Sequence, residues 1–134
     1  MGADRKAVIE HINDAFAENN LEKVLSFCTN DFIWTMVGDT SVKGKDAIRQ
    51  WMASMDVEPP QELNIQQVLA EGDTVITRGD MMMKGRKEPA AHSYAFCDVY
   101  RFKGDKVAEL TAFVIRTDKA RAHEQAAREV GLAV

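Results

Sequence analysis

The sequence predicts an α+β fold in which a curved antiparallel or mixed sheet wraps around N-terminal helices to form a cone. Three observations predict it. The first half of the chain carries apolar residues at helical spacing. From Glu62 onward come four strand-like runs joined by short turn-forming links. Helices and strands are thus segregated along the chain, which is the α+β pattern. Within the third of those runs the aromatic residues stand at every second position, so they share one face of a strand.

Each element has its own justification. Residues 4–18 place Ala7, Val8, Ile12, Ala15 and Phe16 on one helical stripe, and Asn19-Asn20 breaks it. Leu21 to Cys28 continues as a second short helix on Leu21, Val24 and Leu25. Asp31 to Val37 reads as a strand with Phe32, Trp34 and Met36 on one face. Gly38 to Gly44 reads as a turn-rich loop. Lys45 to Met55 is a helix, with Ile48, Trp51, Met52 and Met55 at i, i+3, i+4 and i+7. Pro59-Pro60 then interrupts. The strand runs are Glu62–Ala70, Thr74–Lys84, Ala91–Phe102 and Lys106–Arg116. Their links contain Glu71-Gly72-Asp73, Gly85 to Pro89 and Lys103-Gly104-Asp105. The tail from Asp118 to Val130 reads as a last helix that Asp118 can cap. The expected organisation is one domain over 1–134, with a core over 4–116 and a helical tail over 118–134.

Composition excludes several function classes. A chain of 134 residues supports a single core. The net charge is −4 and the Lys and Arg residues are scattered, so no nucleic-acid partner is expected. No apolar run approaches the ~20 residues that span a bilayer, and Met1 to Asn13 lacks the apolar core of a secretion signal. Cys28 and Cys97 are isolated and read as buried free thiols of a cytoplasmic protein. His11, His92 and His123 show no metal-ligand spacing, so no metal is expected. Neither a Gly-rich phosphate loop nor a Ser-His-Asp pattern is present, and no cofactor is expected.

The run His92, Tyr94, Phe96, Asp98, Tyr100 and Phe102 is the most informative. It makes an aromatic face with a single carboxylate, Asp98. An apolar wall holding one ionisable group is the usual build of a small-molecule pocket. Desolvation in such a wall raises a carboxyl pKa. Asp98 is therefore either a functional acid held neutral or a buried aspartate satisfied by protein groups. Tyr94 and Tyr100 read as wall. His92 lies about 20 Å from Asp98 along an extended strand and reads as rim or surface. Met81 and Met83 share a face opposite to Met82 and suit a loosely specific pocket.

The order of elements resembles the nuclear transport factor 2-like superfamily, which includes ketosteroid isomerases, SnoaL-like cyclases and limonene epoxide hydrolases. The resemblance rests on Phe27 with Asn30-Asp31-Phe32, Lys43-Gly44-Lys45-Asp46-Ala47-Ile48, Glu71-Gly72-Asp73, and Cys97-Asp98-Val99-Tyr100-Arg101-Phe102 leading into Gly104-Asp105-Lys106-Val107. It covers Ala7 to about Arg116. Beside the isomerase, Asp98 falls on the oxyanion-hole acid. The oxyanion-hole tyrosine falls on Ile12, and the general base falls near Thr35 or Met36. Neither of those can take a proton from carbon. Phe16, Trp51, Leu110, Ala112 and Val114 fall on cavity-lining positions. Beside the epoxide hydrolases, Arg78-Gly79-Asp80 has the form of their Arg-x-Asp pair. Counted without gaps from Gly72-Asp73, however, the pair lands on Gly79 and Met81. A slip of one residue turns a strand over, so Arg78 and Asp80 are expected outside the pocket. The third acid falls near Ala112.

These readings combine into one expectation. The chain is a SnoaL-like protein with Asp98 as catalytic acid or oxyanion stabiliser. Ile12, Phe16, Trp34, Met36, Trp51, Met55, Met81, Tyr94, Phe96, Tyr100, Leu110 and Val114 are its substrate-binding wall. It acts as an isomerase, cyclase or lyase on an apolar or polycyclic molecule. The alternative is a protein that binds an apolar metabolite without turnover, and an epoxide hydrolase is the weaker alternative. A homodimer is expected through the convex sheet face, on Ala95, Cys97, Val99, Thr111 and Phe113.

Overall fold

The computed structural model describes residues 2–55, 58–60, 62–118 and 129–131. The chain opens with α1 (Gly2–Ala17) and α2 (Leu21–Ser26), followed by β1 (Cys28–Met36) and β2 (Thr40–Lys43). After α3 (Lys45–Ser54) come β3 (Glu62–Glu71), β4 (Thr74–Met83), β5 (His92–Lys103) and β6 (Lys106–Arg116). The six strands form one open sheet in the order β2-β1-β6-β5-β4-β3. All neighbours are antiparallel except β1 and β6, which run parallel. The sheet is thus mixed, and its order does not close into a barrel.

Local chemistry explains the element ends. Asn20 caps α2, its side-chain oxygen accepting from the Lys23 amide at 3.1 Å. The first strand begins at Cys28, three residues before the expected start, because Val107 of β6 pairs there. The segment Gly38 to Gly44, expected as a loop, contains β2. Gly38 turns the chain at φ 85°, and the Asp39 amide donates to the Met36 carbonyl at 3.0 Å. That tight turn folds Thr40–Lys43 back onto Met36–Ile33. In α1 the inner stripe uses Ile9, Ile12 and Ala15, whereas Ala7 faces solvent. The expected tail helix falls mostly on residues outside those described, as does His123.

Rows of paired residues cross the sheet, and they define its two faces. Met36, Ala112, Asp98, Thr77 and Val68 form one concave row. Trp34, Leu110, Tyr100, Val75 and Ala70 form the next, and α1 packs against this deeper part. Here Ile9, Ile12, Phe32, Tyr100 and Val107 are almost wholly buried. Arg5 closes the narrow end. Its guanidinium donates to the carbonyls of Gly72 at 2.6 Å and Gly104 at 3.1 Å, and it lies over the Phe102 ring. One basic side chain thereby ties α1 to the β3–β4 and β5–β6 turns.

Candidate functional site

At the wide end the helices and the concave face separate. They leave a cavity of about 580 Å³. Its size suits a drug-sized organic molecule. One wall is aromatic. Trp34 of β1 meets Phe16 of α1 edge-on at 5.5 Å and Trp51 of α3 at 5.3 Å. The sheet contributes Met36, Met81, Phe96, Leu110, Ala112 and Val114. Met52, Met55 and Leu63 complete the apolar surface nearer the mouth.

Gly79 makes room for this wall. It sits between Phe96 of β5 and Ile65 of β3. A side-chain carbon there would run into the Asn64 carbonyl and touch the Phe96 ring. The β3 strand bulges just beyond Ile65, which brings its backbone in over Gly79.

Asp98 lies in the middle of the concave face and lines the cavity. Its cross-strand neighbours are Ala112 and Thr77, neither of which carries charge. The side chain keeps partial exposure, and the space it is exposed to is the cavity. No described residue donates a hydrogen bond to its carboxyl or pairs with it. Burial alone therefore pushes its pKa up, to about 7. Near neutrality a large fraction of the chains carry a neutral carboxyl that can donate a hydrogen bond into the cavity.

Asn13 is the second polar group of the interior. It lies one helical turn before Phe16 on α1, is 8% exposed, and lines the cavity. Its carboxamide has no partner among the described residues. The Trp34 indole nitrogen and the hydroxyls of Thr77 and Tyr100 are among the polar atoms buried without a partner among the described residues. Burial first, then the nearby Asp98 charge, hold the Tyr100 phenol well above its ordinary value, so it stays a neutral hydroxyl.

The mouth is charged. Arg49 of α3 grips the Glu22 carboxylate of α2 with two bonds of 2.8 and 2.9 Å, and reaches Asp46 at 2.7 Å. The hydrogen bond from Arg49 lowers the Glu22 pKa. Glu58 pairs with Lys84 at 3.8 Å, and its amide donates to the Lys84 carbonyl. Arg86, just beyond β4, also lines the cavity.

Most of the expected wall is brought together here. Phe16, Trp34, Met36, Trp51, Met55, Met81, Phe96, Leu110 and Val114 all line the cavity with Asp98. Three expected residues do not. Ile12 and Tyr100 are each 1% exposed and belong to the core below the cavity floor. Strand alternation gives the face of Tyr100 correctly, but not its depth. Tyr94 shares the concave phase but stands outside the cavity, paired with Met81 and Arg116 near the end of the sheet. His92 is further along the same end. It bonds Asp118 at 2.9 Å and Glu88 at 3.0 Å, so it belongs to the rim. Two hydrogen bonds from Arg116 and one from His92 hold the Asp118 carboxyl far below the usual range. That carboxylate is committed to the sheet end.

Arg78 and Asp80 are on the convex face. Arg78 donates to Gln66 and Gln67, and Asp80 accepts from Asn64 and Gln66. Gly79 and Met81 hold the inner phase, as the register count predicts. Both cysteines are free, Cys28 buried and Cys97 half-buried. Burial pushes the Cys28 thiol up to about 12, which makes it a poor nucleophile. Among the described residues no three His, Cys, Asp or Glu side chains gather to hold a metal. No described helix is long and apolar enough to cross a membrane.

Reading the sequence by apolar stripes passes over Asn13, because it is polar. The available signal is its spacing: four residues after Ile9 and three before Phe16, it must face inward. Nothing in the Gly85 to Pro89 turn marks Arg86 as a lining residue.

Comparison with known proteins agrees with this architecture. The profile of the SnoaL-like domain matches residues 8–110. A comparison with curated proteins found no match. Among solved structures, the chain is similar to an LEH-like epoxide hydrolase from M. tuberculosis. The TM-score is 0.73 at 16% identity, over 96% of this chain and 97% of that one. An NTF2-like protein of unknown function from Burkholderia pseudomallei gives 0.74 at 15% identity, over 88% and 95%. A protein of ketosteroid isomerase-like fold from Catenulispora acidiphila gives 0.68 at 15% identity, over 78% and 82%. These likenesses concern the fold. The chain belongs to the SnoaL-like domain family by its profile, and its fold is the nuclear transport factor 2-like one.

Proposed function

We propose that the chain is a small enzyme acting on an apolar, carbonyl-bearing molecule inside the cavity, with Asp98 as neutral acid or oxyanion stabiliser. One observation carries the reading: the Asp98 carboxyl faces the cavity with no partner among the described residues, and burial lifts its pKa to about 7. A neutral carboxyl donates to a carbonyl oxygen. That bond strengthens as charge builds on the oxygen, so it favours an enolate-like transition state over the ground state. Asn13 supplies a second uncharged donor facing the same space. The α-proton leaves to solvent admitted through the cavity mouth, since no described residue is placed to take it. This is the chemistry of an isomerase, cyclase or lyase.

A second reading, binding of an apolar metabolite without turnover, is favoured by a different observation. The other acids lining the cavity, Glu22 and Glu58, are both ion-paired at the mouth. Neither is free to act as a base. Epoxide hydrolysis is the weakest of the three. The similarity to the M. tuberculosis enzyme is one of fold, and Arg78 and Asp80 lie outside the cavity.

The test is α-proton exchange. Cyclic and polycyclic ketones are incubated with the protein in deuterated water and followed by NMR. The enzyme reading predicts faster exchange with the parent protein, most of it lost in Asp98→Leu and partly kept in Asp98→Asn. Ketones that bind without any accelerated exchange would favour the binding reading.

A further inference from the structure

Five ionisable residues line the cavity: Glu22, Arg49, Glu58, Arg86 and Asp98. Four of them are accounted for. Arg49 is held by two hydrogen bonds to Glu22 and one to Asp46, and Glu58 is paired with Lys84. Asp98 is the acid of the proposed reaction, in the middle of the concave face and partly exposed to the cavity. Arg86 is different. It makes no ion pair and no hydrogen bond with any described residue. It lies two residues beyond Lys84, whose carbonyl accepts from the Glu58 amide, and it lines the cavity on the β4 side.

We infer that Arg86 selects ligands that carry a carboxylate or similar anion on an apolar body. The body fills the aromatic cavity, an uncharged oxygen points to Asp98 and Asn13, and the anionic group stays at the mouth on the Arg86 guanidinium. An arginine is suited to this because its planar fork matches a carboxylate with two parallel bonds. Placing the anion at the mouth also avoids stripping it of water, which a deep site would require. An anion carried to the floor would instead face an acid whose own ionisation is already disfavoured. The inference rests on the proposed use of the cavity as a ligand site and adds the class of molecule that enters it.

Two probes with the same ring system separate the inference from that reading: naphthalene-acetate and naphthalene-acetamide. Their affinities are measured by calorimetry at about pH 6, below the Asp98 midpoint of about 7. The parent protein is expected to prefer the acetate by about two- to fivefold, the range of an exposed ion pair. The preference should shrink as salt is added. In Arg86→Gln the ratio should fall to about one. In Arg101→Gln, which removes the same charge from the convex face, it should persist. Equal affinities for both probes in the parent protein, or a ratio unaltered in Arg86→Gln, would overturn the role of Arg86 and leave the cavity reading standing. Absence of binding by either probe would overturn both.

Discussion

Asp98 shows how one side chain takes its chemistry from its neighbours. Ala112 and Thr77 flank it across the sheet, and no described cation offsets the loss of water. Its folded pKa is about 7 against an ordinary value of 3.8. The folded state therefore holds a proton that the unfolded state releases between those values. Its contribution to stability is full below about pH 3.8 and falls as pH rises through about 7. Asp98→Asn keeps the shape and removes the ionisation. Relative to the parent protein, its Tm is expected to be similar near pH 4 and clearly higher near pH 8. Comparing the two at each pH cancels every other titration. A Tm difference that does not widen with pH would refute the desolvation account. The face of Asp98 was legible because strand alternation has a period of two and needs no depth information. Tyr100 and Ile12 were misplaced because depth depends on how far α1 descends over the sheet, which no local pattern encodes. Asn13 is not legible in the same way, because a stripe defined by apolarity skips a polar residue that lines the cavity.

Among the elements, β4 carries a constraint that no other strand shows. Gly79 lets the β3 backbone and the Phe96 ring approach together. Gly79→Ala is expected to destabilise the fold by ~1–3 kcal/mol, the range for inserting a methyl into a packed site. Urea melts compared with the parent protein check this. An unchanged midpoint would mean that β3 can shift freely away from β4. Most elements are readable from their periodicity, because α3, β4, β5 and β6 each turn apolar residues to the interior, whereas β3 has only exposed and half-buried residues. The exception was β2. Its four residues lie between Gly38-Asp39 and Gly44, so turn signals outweigh so short a strand. Its existence depends on Met36 and Ile33 offering an edge to pair with, which is a tertiary fact. The same holds for the parallel β1–β6 contact, which joins residues far apart in the chain.

For the whole molecule, the two faces of the sheet divide the work. The concave face holds the cavity, and the convex face exposes Leu69 at 54%, Phe113 at 42% and Ile115 at 67%. Half-buried Ala95, Cys97, Val99 and Thr111 lie among them. A contiguous apolar surface of this kind favours an isologous pair. Light scattering at micromolar concentration is expected to give twice the chain mass, and Phe113→Glu with Ile115→Glu should give the monomer. A monomer mass for the parent protein would contradict that expectation. Across the described residues, the strands and helices bury one carboxyl among uncharged neighbours and leave it facing a cavity. The most direct measurement is a carbon-13 NMR titration of the Asp98 side chain in the ligand-free protein. The account predicts a midpoint near 7. A midpoint at or below about 3.9, with Asp98 ionised throughout the neutral range, would contradict it.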